Sequence, residues 1–262
     1  MIRALMTAAS GMKAQQLQVD TIANNIANVN TTGFKKNELA FREMLYQTMR
    51  EPGAPTGQSQ MSPTGLQVGS GTEIASSIKL FKQGEVVPTG NDLDLAIVGA
   101  GFFQVKPGQG DPQYTRDGSF KRDGTGTLVT SEGYPLQPAV VIPPDATAIL
   151  ISQDGHVSIM KGDTGSPTEI GTISLFRFAN DSGLKAQGGN LYTETPSSGN
   201  AQQASPGISG AGVIRQNAVE RSNVQVVDEL VSLILAQRNY EINSRAIKVS
   251  DDMLQQVNNM VR

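Results

Sequence analysis

Apolar residues recur at seven-residue intervals at both ends of the chain, and this spacing constrains the possible folds most strongly. Alternating steps of three and four residues place apolar side chains along one side of an α-helix, so each line predicts a helix that packs along another helix. The main lines are Leu5, Met12, Val19 and Ile26 at the N-terminus, and Val226, Leu233, Tyr240, Ile247, Leu254 and Val261 at the C-terminus. A companion line, three residues ahead of the N-terminal line, consists of Ile2, Ala9, Gln16 and Ala23.

The predicted helical segments are 1–32 and 223–262. Gly33 suits the left-handed turn that ends a helix, and Ser222 followed by Gln225 resembles a capping box at the start of the second helix. That helix also carries a second apolar stripe on roughly its opposite side, which needs a partner of its own. The stripe consists of Leu235, Ile242, Ala246, Val249 and Met253.

The length of the C-terminal helix favours assembly. A helix over 223–261 would span about 58 Å at 1.5 Å per residue. A compact globule of 262 residues has a diameter of about 47 Å. We therefore expect the helix to be buried between copies or partners. The alternative is an intramolecular helical hairpin that lies across the globular part.

The middle of the chain predicts an antiparallel β domain over 73–196, since short strand-like runs alternate there with Asp-Gly turns. Segment 33–72 is expected to be an extended arm, although 37–50 could also form a short helix. Pro, Gly, Ser and Thr are abundant in the second part of this arm. Segment 197–222 is expected to be a return linker. The predicted fold is α+β: a coiled-coil-like pair of terminal helices, extended arms and an inserted β domain.

Composition excludes several classes of chemistry. The chain has no cysteine and one histidine, which excludes disulfides, zinc fingers and iron–sulfur clusters. A net charge of −3 argues against a nucleic-acid binder. The longest apolar runs fall far short of the ~20 residues of a membrane span. The first residues are too polar for a cleaved signal peptide, so we expect export, if any, to retain them.

Four features could suggest a catalytic or binding site, and each has a simpler explanation. Gly99-Ala100-Gly101 lacks the third glycine of a dinucleotide fingerprint and predicts a tight turn. Asp92 and Asp94 alternate with leucines, which predicts one solvent-facing side of a strand. His156 follows an Asp-Gly turn, and Lys35-Lys36 is expected to be solvated or to touch an acidic surface. We expect no catalytic, cofactor or metal site.

Five motifs resemble those of bacterial flagellar rod and hook proteins, and together they extend over nearly the whole chain. The N-terminal one is DTIANNIANVNTTGFKK at 20–36. Two internal ones are DLAIVGAGFF at 94–103 and YTRDGSF at 114–120. NVQVVDEL at 223–230 and QRNYEINS at 237–244 complete the set. The length and the stretch 46–71 are most similar to the distal rod members of this family, ahead of a proximal rod member of similar size.

The resemblance implies a structural subunit that polymerises helically into a shaft carrying torque from motor to hook. Its implied location is the rod of the basal body, in the periplasmic space. The implied partners are further copies of the chain, proximal rod proteins, the hook protein, the surrounding ring proteins and the flagellar type III export apparatus. Export would occur without signal cleavage, and no enzymatic activity is implied.

By the same resemblance, 46–71 would wedge between neighbouring subunits and keep the rod stiff. The residues assigned to this role are Tyr46, Pro52, Gly53, Pro63 and Leu66. Two other functions stay open from the residues alone. One is an extracellular binding module whose β domain holds a ligand, and the other is a hydrolase that uses Asp92 or Asp94.

Overall fold

The computed structural model describes residues 2–53, 55–57, 60–61, 63–108, 110–161, 167–208 and 210–260. The chain forms two compact units. Unit 1 comprises Met1–Ile26, Asn37–Ile78 and Gln225–Arg262, and unit 2 comprises Ala27–Lys36 and Lys79–Val224. The α+β class predicted from the sequence is confirmed, with a helix at each end and a mostly antiparallel β region between them.

Unit 1 contains two long helices and a two-stranded arm. The helices are α1 (Ile2–Ala27, whose last residue belongs to unit 2) and α2 (Val226–Met260). In the arm β1 pairs with β6, β2 with β5 and β3 with β4. Its strands are β1 (Asn37–Glu43), β2 (Gln47–Arg50), β3 (Pro55–Gly57), β4 (Gln60–Met61), β5 (Leu66–Val68) and β6 (Thr72–Lys79).

Unit 2 is built from short antiparallel strands, with one 3-10 turn at Asp181–Gly183. The strands are β7 (Val86–Pro88), β8 (Leu95–Val98), β9 (Phe103–Val105), β10 (Gln113–Thr115), β11 (Lys121–Arg122), β12 (Leu128–Val129), β13 (Leu136–Gln137), β14 (Ala146–Ile151), β15 (His156–Lys161), β16 (Thr168–Thr172), β17 (Leu175–Arg177), β18 (Lys185–Gly188), β19 (Leu191–Thr193), β20 (Gln202–Ala204), β21 (Val213–Gln216) and β22 (Ala218–Glu220).

These strands form one five-stranded sheet, one three-stranded sheet and several pairs. The orders are β13-β9-β10-β19-β18 and β14-β15-β16, and the pairs are β11-β12, β17-β20, β21-β8 and β22-β7. Alternation along β15 buries Val157 and Ile159 and leaves His156 at the surface. A large aliphatic core and a smaller aromatic cluster result. The cluster contains Phe102, Tyr114, Phe176, Phe178, Leu184 and Tyr192, with edge-to-face ring pairs.

The observed limits of unit 2 differ from the predicted β domain at both ends. Segment 73–78, expected to begin the β domain, belongs to unit 1, and segment 27–36, expected to be the end of the helix and the start of the arm, belongs to unit 2. Segment 197–222, expected to be a linker, contains β20, β21 and β22. The reason is pairing over long sequence distances: β21 pairs with β8 and β22 with β7. Composition alone does not reveal such pairing.

The predicted helix ends also need correction. The helix α1 ends at Ala27, and two successive turns, Thr31 N to Asn28 O and Phe34 N to Thr31 O, follow it. The helix α2 begins at Val226, where the Glu229 amide donates to the Gln225 carbonyl. The capping box at Ser222 was wrong, because the Ser222 hydroxyl accepts a bond from the Val224 amide instead. Segment 37–50 forms strands, so the extended alternative holds there.

Candidate functional site

The two terminal helices lie antiparallel within unit 1. The Asn25 side-chain amide donates to Glu229 Oε2 at 3.2 Å. Near the other end, a Cβ added to Gly11 would lie 2.8 Å from Asn243 Nδ2. As the residue number rises along α1, the number of the contacting residue on α2 falls, so the helices run in opposite directions. Glycine at position 11 allows this close approach.

The buried side chains of the two helices are mainly small and polar, and Asn25 and Glu229 join the helices at their contact. The buried residues of α1 are Ala8, Ala14, Ile22 and Asn25, and those of α2 are Glu229, Ala236 and Ser250. On α2 the buried residues are seven or fourteen positions apart, so they form a heptad line of their own beside the predicted one. This line on α2 was not predicted, because serine and glutamate do not belong to an apolar pattern.

The predicted seam residues flank this contact. Leu5, Met12, Val19 and Ile26 are half-buried, as are Leu233, Ile247 and Leu254. Val226 and Tyr240 are exposed, and Val261 lies outside the described residues. Val19 and Tyr240 line one hollow of about 440 Å³. The companion line was wrong as part of the seam, since Ile2, Ala9, Gln16 and Ala23 all lie on the exposed surface.

The second stripe of α2 is on the outer surface of unit 1. Its large apolar side chains are about half exposed: Leu235 55%, Ile242 56%, Val249 55% and Met253 43%. Leu235 lines a hollow together with Phe41 of the arm, whereas Val19 and Tyr240 line a different one. The helix therefore turns its small and polar side inward and an apolar side toward solvent.

The arm is a β-hairpin whose base contacts α1. The Ser10 hydroxyl accepts a bond from the Thr72 amide, and Arg3 Nη1 lies 3.8 Å from Met49 Sδ. Tyr46 is half exposed, and its hydroxyl donates to Glu43 Oε2 at 2.9 Å. This bond to a carboxylate raises the pKa of Tyr46.

The remaining arm residues assigned by resemblance lie beyond this base. Arg50 faces Leu66 across the β2–β5 pair, and Leu66 is half exposed. A Cβ at Gly65 would lie 2.8 Å from Pro52 Cδ, so the two strands approach closely just after β2. Gly53 has a φ of +84°, and Pro63 is exposed.

The residues that suggested catalysis have structural partners in unit 2. Asp94 was expected on a solvent-facing side of a strand, and this was wrong. The residue is buried just before β8, where its carboxylate accepts bonds from Thr89 and Asn91. Asp92 accepts a bond from Asn217. His156 pairs with Glu169 at 2.6 Å, and both side chains are half exposed.

Two further expectations have structural answers. Gly99 and Gly101 have φ values of +117° and +140°, as a tight turn before a strand requires. Lys35 was expected to be solvated or to touch an acidic surface, and this was wrong because its side chain is fully buried against Glu220.

Among the described residues, no group of three His, Asp or Glu side chains could hold a metal ion. No helix within the described ranges is both long and apolar enough to cross a membrane.

Three family descriptions match separate parts of the chain. "Flagella basal body rod protein" matches residues 5–35, which include most of α1. "Flagellar hook protein FlgE/F/G D1 domain" matches 96–159, within unit 2. "Flagellar basal body rod FlgEFG protein C-terminal" matches 215–260, which include α2.

Full-length relatives decide the assignment. The flagellar basal-body rod protein FlgG of Borreliella burgdorferi is 47% identical over 264 residues, covering 100% of both chains. The chain belongs to the FlgG family of flagellar basal-body rod proteins. FlgG of Bacillus subtilis is 40% identical, again over 100% of both chains. The flagellar hook-basal body complex protein FlhP of the same organism is 29% identical over 99% of this chain, so of these two Bacillus proteins FlgG is the more similar.

Proposed function

We propose that this FlgG-family chain is a structural subunit of the bacterial flagellar distal rod, which polymerises helically into the shaft that transmits torque from motor to hook. One observation carries the proposal: unit 1 exposes its large apolar side chains. Among its described residues, the buried apolar side chains are Ala8, Ala14, Ile22 and Ala236, whereas 21 large hydrophobic ones are exposed. In unit 2 four large hydrophobic side chains are exposed in the described part of the chain. A surface of this kind is typical of a subunit that completes its core with neighbours.

The proposed contacts between copies use the outer stripe of α2. Leu235, Ile242, Val249 and Met253 would pack against helices of adjacent subunits, while the lines through Leu5 and Leu233 would join the two helices of one subunit. Burial of one half-exposed side chain of this size contributes about 1 kcal/mol per copy. A polymer repeats this contribution at every subunit, so modest contacts are sufficient for a stable shaft.

The arm would stiffen the rod by wedging between neighbouring subunits. Its hairpin pairing supports this role, because paired strands resist bending better than a flexible linker. An isolated two-stranded hairpin is only marginally stable in water, however, and an exposed arm gains stability from a neighbour. Tyr46, Pro52, Gly53, Pro63 and Leu66 are the residues proposed to act there.

Family membership supports the remaining parts of the proposal. The subunit would be located in the rod within the periplasmic space, between the proximal rod proteins and the hook protein and inside the surrounding rings. It would be exported by the flagellar type III apparatus without signal cleavage and would act without enzymatic activity, cofactor or nucleic acid.

Electron microscopy of purified basal bodies tests this function. A biotin-acceptor peptide inserted at Gly124 would label the chain in an exposed turn, where nothing lies within 4 Å of an added Cβ. Streptavidin–gold is expected along the shaft directly below the hook. Basal bodies from cells that carry the untagged chain give the background. Gold confined to another part of the basal body, or absent from it, would contradict the proposal.

A further inference from the structure

A lysine, an arginine and a glutamate are buried together in unit 2. Lys35 and Glu220 are fully buried, and Lys35 Nζ lies 2.6 Å from Glu220 Oε1. Arg116 is 3% exposed, and its Nη1 lies 3.3 Å from Glu220 Oε2. Burial lowers the pKa of the Lys35 ammonium, while Glu220 acts in the opposite direction. We call these three residues the buried triad.

Lys35 and Glu220 lie in two segments of the chain and bond to the backbone of a third, and Arg116 Nη2 donates to the Gly99 carbonyl at 2.8 Å. Lys35 Nζ also donates to the Lys82 carbonyl at 2.9 Å, and Glu220 Oε1 accepts a bond from the Gly84 amide at 2.8 Å. The Gly33 amide donates to the Glu220 carbonyl at 2.8 Å. Segments 33–36, 79–84 and 220–223 are thereby joined side by side.

A second, uncharged set of bonds repeats the same connection. Asn223 Oδ1 accepts a bond from the Lys36 amide at 2.9 Å. Asn223 Nδ2 donates to the carbonyls of Leu80 and Lys82 at 2.8 and 3.0 Å. The Leu80 amide donates to the Lys36 carbonyl at 3.0 Å. Each of the three segments is thus bonded to both of the others.

These segments adjoin three of the four points where the chain passes between the two units. Segment 33–36 lies between α1 and β1, 79–84 begins at the last residue of β6, and 220–223 precedes α2. Buried ion pairs contribute little net stability, because the loss of hydration offsets the attraction between the charges. Apolar residues of similar volume would fill the same space, so stability alone does not account for three buried charges.

We infer that Lys35, Arg116 and Glu220 are positioning residues that hold three of the four chain connections of unit 2 at a fixed spacing. This inference rests on the proposed function, since fixed connections allow torque in the terminal helices to reach unit 2 without twisting single strands. Directional bonds to backbone groups achieve this, whereas apolar contacts allow the segments to slide.

Hydrogen exchange on the purified full-length chain tests the positioning role independently of the rod. Lys35→Met, Arg116→Met and Glu220→Leu are combined in one variant. We expect amides in 33–36 and 79–84 to exchange at least tenfold faster, while those of β8 and β9 change less than threefold. Equal acceleration in all segments, or none in the two connections, would overturn the inference. Unfolding of unit 2 would also overturn it, because the triad would then be a source of stability.

Two single substitutions separate charge pairing from positioning. Glu220→Gln leaves two buried cations without their counter-charge, so it should lower the thermal midpoint of unit 2 more than the combined variant does. Asn223→Ala keeps the triad and removes the second set of bonds, so exchange should accelerate in the same two segments. A combined variant with a lower thermal midpoint than Glu220→Gln would count against the inference. Unchanged exchange rates in Asn223→Ala would also count against it.

The mechanical consequence is measured on shafts in micrographs of purified basal bodies. The combined variant and Asn223→Ala should at least double the spread of bend angles. Lys161→Met, which removes an exposed ion pair with Asp145, is the matched control and should leave the spread unchanged. An unchanged spread in both test variants would overturn the mechanical role. If shafts from wild-type cells do not contain this chain, the proposed function is contradicted. The exchange result would still stand.

Discussion

At the scale of single residues, the backbone at Gly33 determines how the chain continues after α1. Its φ is +69°, and an added Cβ would lie 2.6 Å from the Asp117 amide nitrogen. Gly33→Ala should therefore lower the free energy of unfolding of unit 2 by about 2 kcal/mol or more, through backbone strain and a clash. Guanidinium unfolding measures this change.

Gly188 provides the control for the clash. Its φ is +97°, but nothing lies within 4 Å of an added Cβ. Gly188→Ala should cost about 1 kcal/mol from strain alone. Equal costs at the two positions would show that the contact with Asp117 relaxes without penalty.

Tyr192 gives the stability of unit 2 a pH dependence. Burial raises its pKa from the ordinary 10.0 to about 12. Between these values the unfolded chain loses the phenolic proton and the folded chain keeps it, so stability falls as pH rises. At pH 11 the loss should be about 1 kcal/mol relative to pH 9. Tyr192→Phe should remove this part of the loss, as measured by guanidinium unfolding at both pH values. An identical loss in the variant would rule Tyr192 out as its source.

Residue roles were the least predictable part of the molecule. Lys35 belongs to a motif that resembles the flagellar family, yet its sequence neighbours do not indicate burial. Its partner Glu220 is 185 positions away, and only the folded strands bring the two together. Asp94 was placed on the wrong side for a related reason, since its bonds to Thr89 and Asn91 lie in a loop with no regular periodicity.

At the scale of elements, the outer stripe of α2 should control assembly. Leu235→Gln, Ile242→Gln and Val249→Gln combined remove about 3 kcal/mol of apolar burial per copy. The protein concentration needed for assembly should therefore rise about a hundredfold. Sedimentation of assembled material measures this change, and shorter or absent shafts are expected in cells.

The same helix offers a matched control. Arg238 and Arg245 are also exposed but are not apolar. Arg238→Gln combined with Arg245→Gln should leave assembly within about threefold of the wild type, since exposed charges contribute little. Equal defects in the two sets would point to the whole outer surface of α2 and away from the apolar stripe.

Leu233 tests the seam within one subunit. It is half-buried on the predicted line of α2, so Leu233→Asp places a charge between the helices at a cost of roughly 2 kcal/mol or more. We expect no rods and no motility, scored by micrographs and by swimming in soft agar. Leu233→Met, which keeps an apolar side chain of similar volume, should preserve both. Normal rods from Leu233→Asp would remove this residue from the seam.

Elements were more predictable than residues because periodicity is a local property. Seven-residue spacing predicted both helices and the outward stripe, and the structure contains both helices. The buried side of α1 includes Ala8 and Asn25, the predicted line of large residues is half-buried beside it, and the role of that line in the seam stays a prediction. A glycine within the helix is consistent with a close neighbour, but the sequence did not indicate that Asn243 is the residue that approaches Gly11.

At the scale of the whole molecule, unit 2 has the features of an independently folding domain, and unit 1 has those of an assembly surface. Unit 2 buries aliphatic and aromatic cores of its own, as a domain that folds independently does. Unit 1 has almost no large buried side chain in its described residues and presents apolar surface instead. This division was only partly predictable, because the limits of unit 2 depend on strands from 213–220 that return to pair with β7 and β8.

The arm makes a prediction about the whole rod. Arg50 faces Leu66 across the hairpin, so an Asn-Gly turn can replace 51–65 and leave the β2–β5 pair intact. Removal of the tip should give shafts that assemble but bend more, because the wedge between subunits is shortened. Replacement of 45–70 by the same turn, next to the bond from the Met44 amide to the Gly71 carbonyl, should increase bending further. Bend angles in micrographs measure both effects. Straight shafts of unchanged stiffness in both variants would exclude the arm as the stiffening element and leave the packing of the terminal helices to provide stiffness.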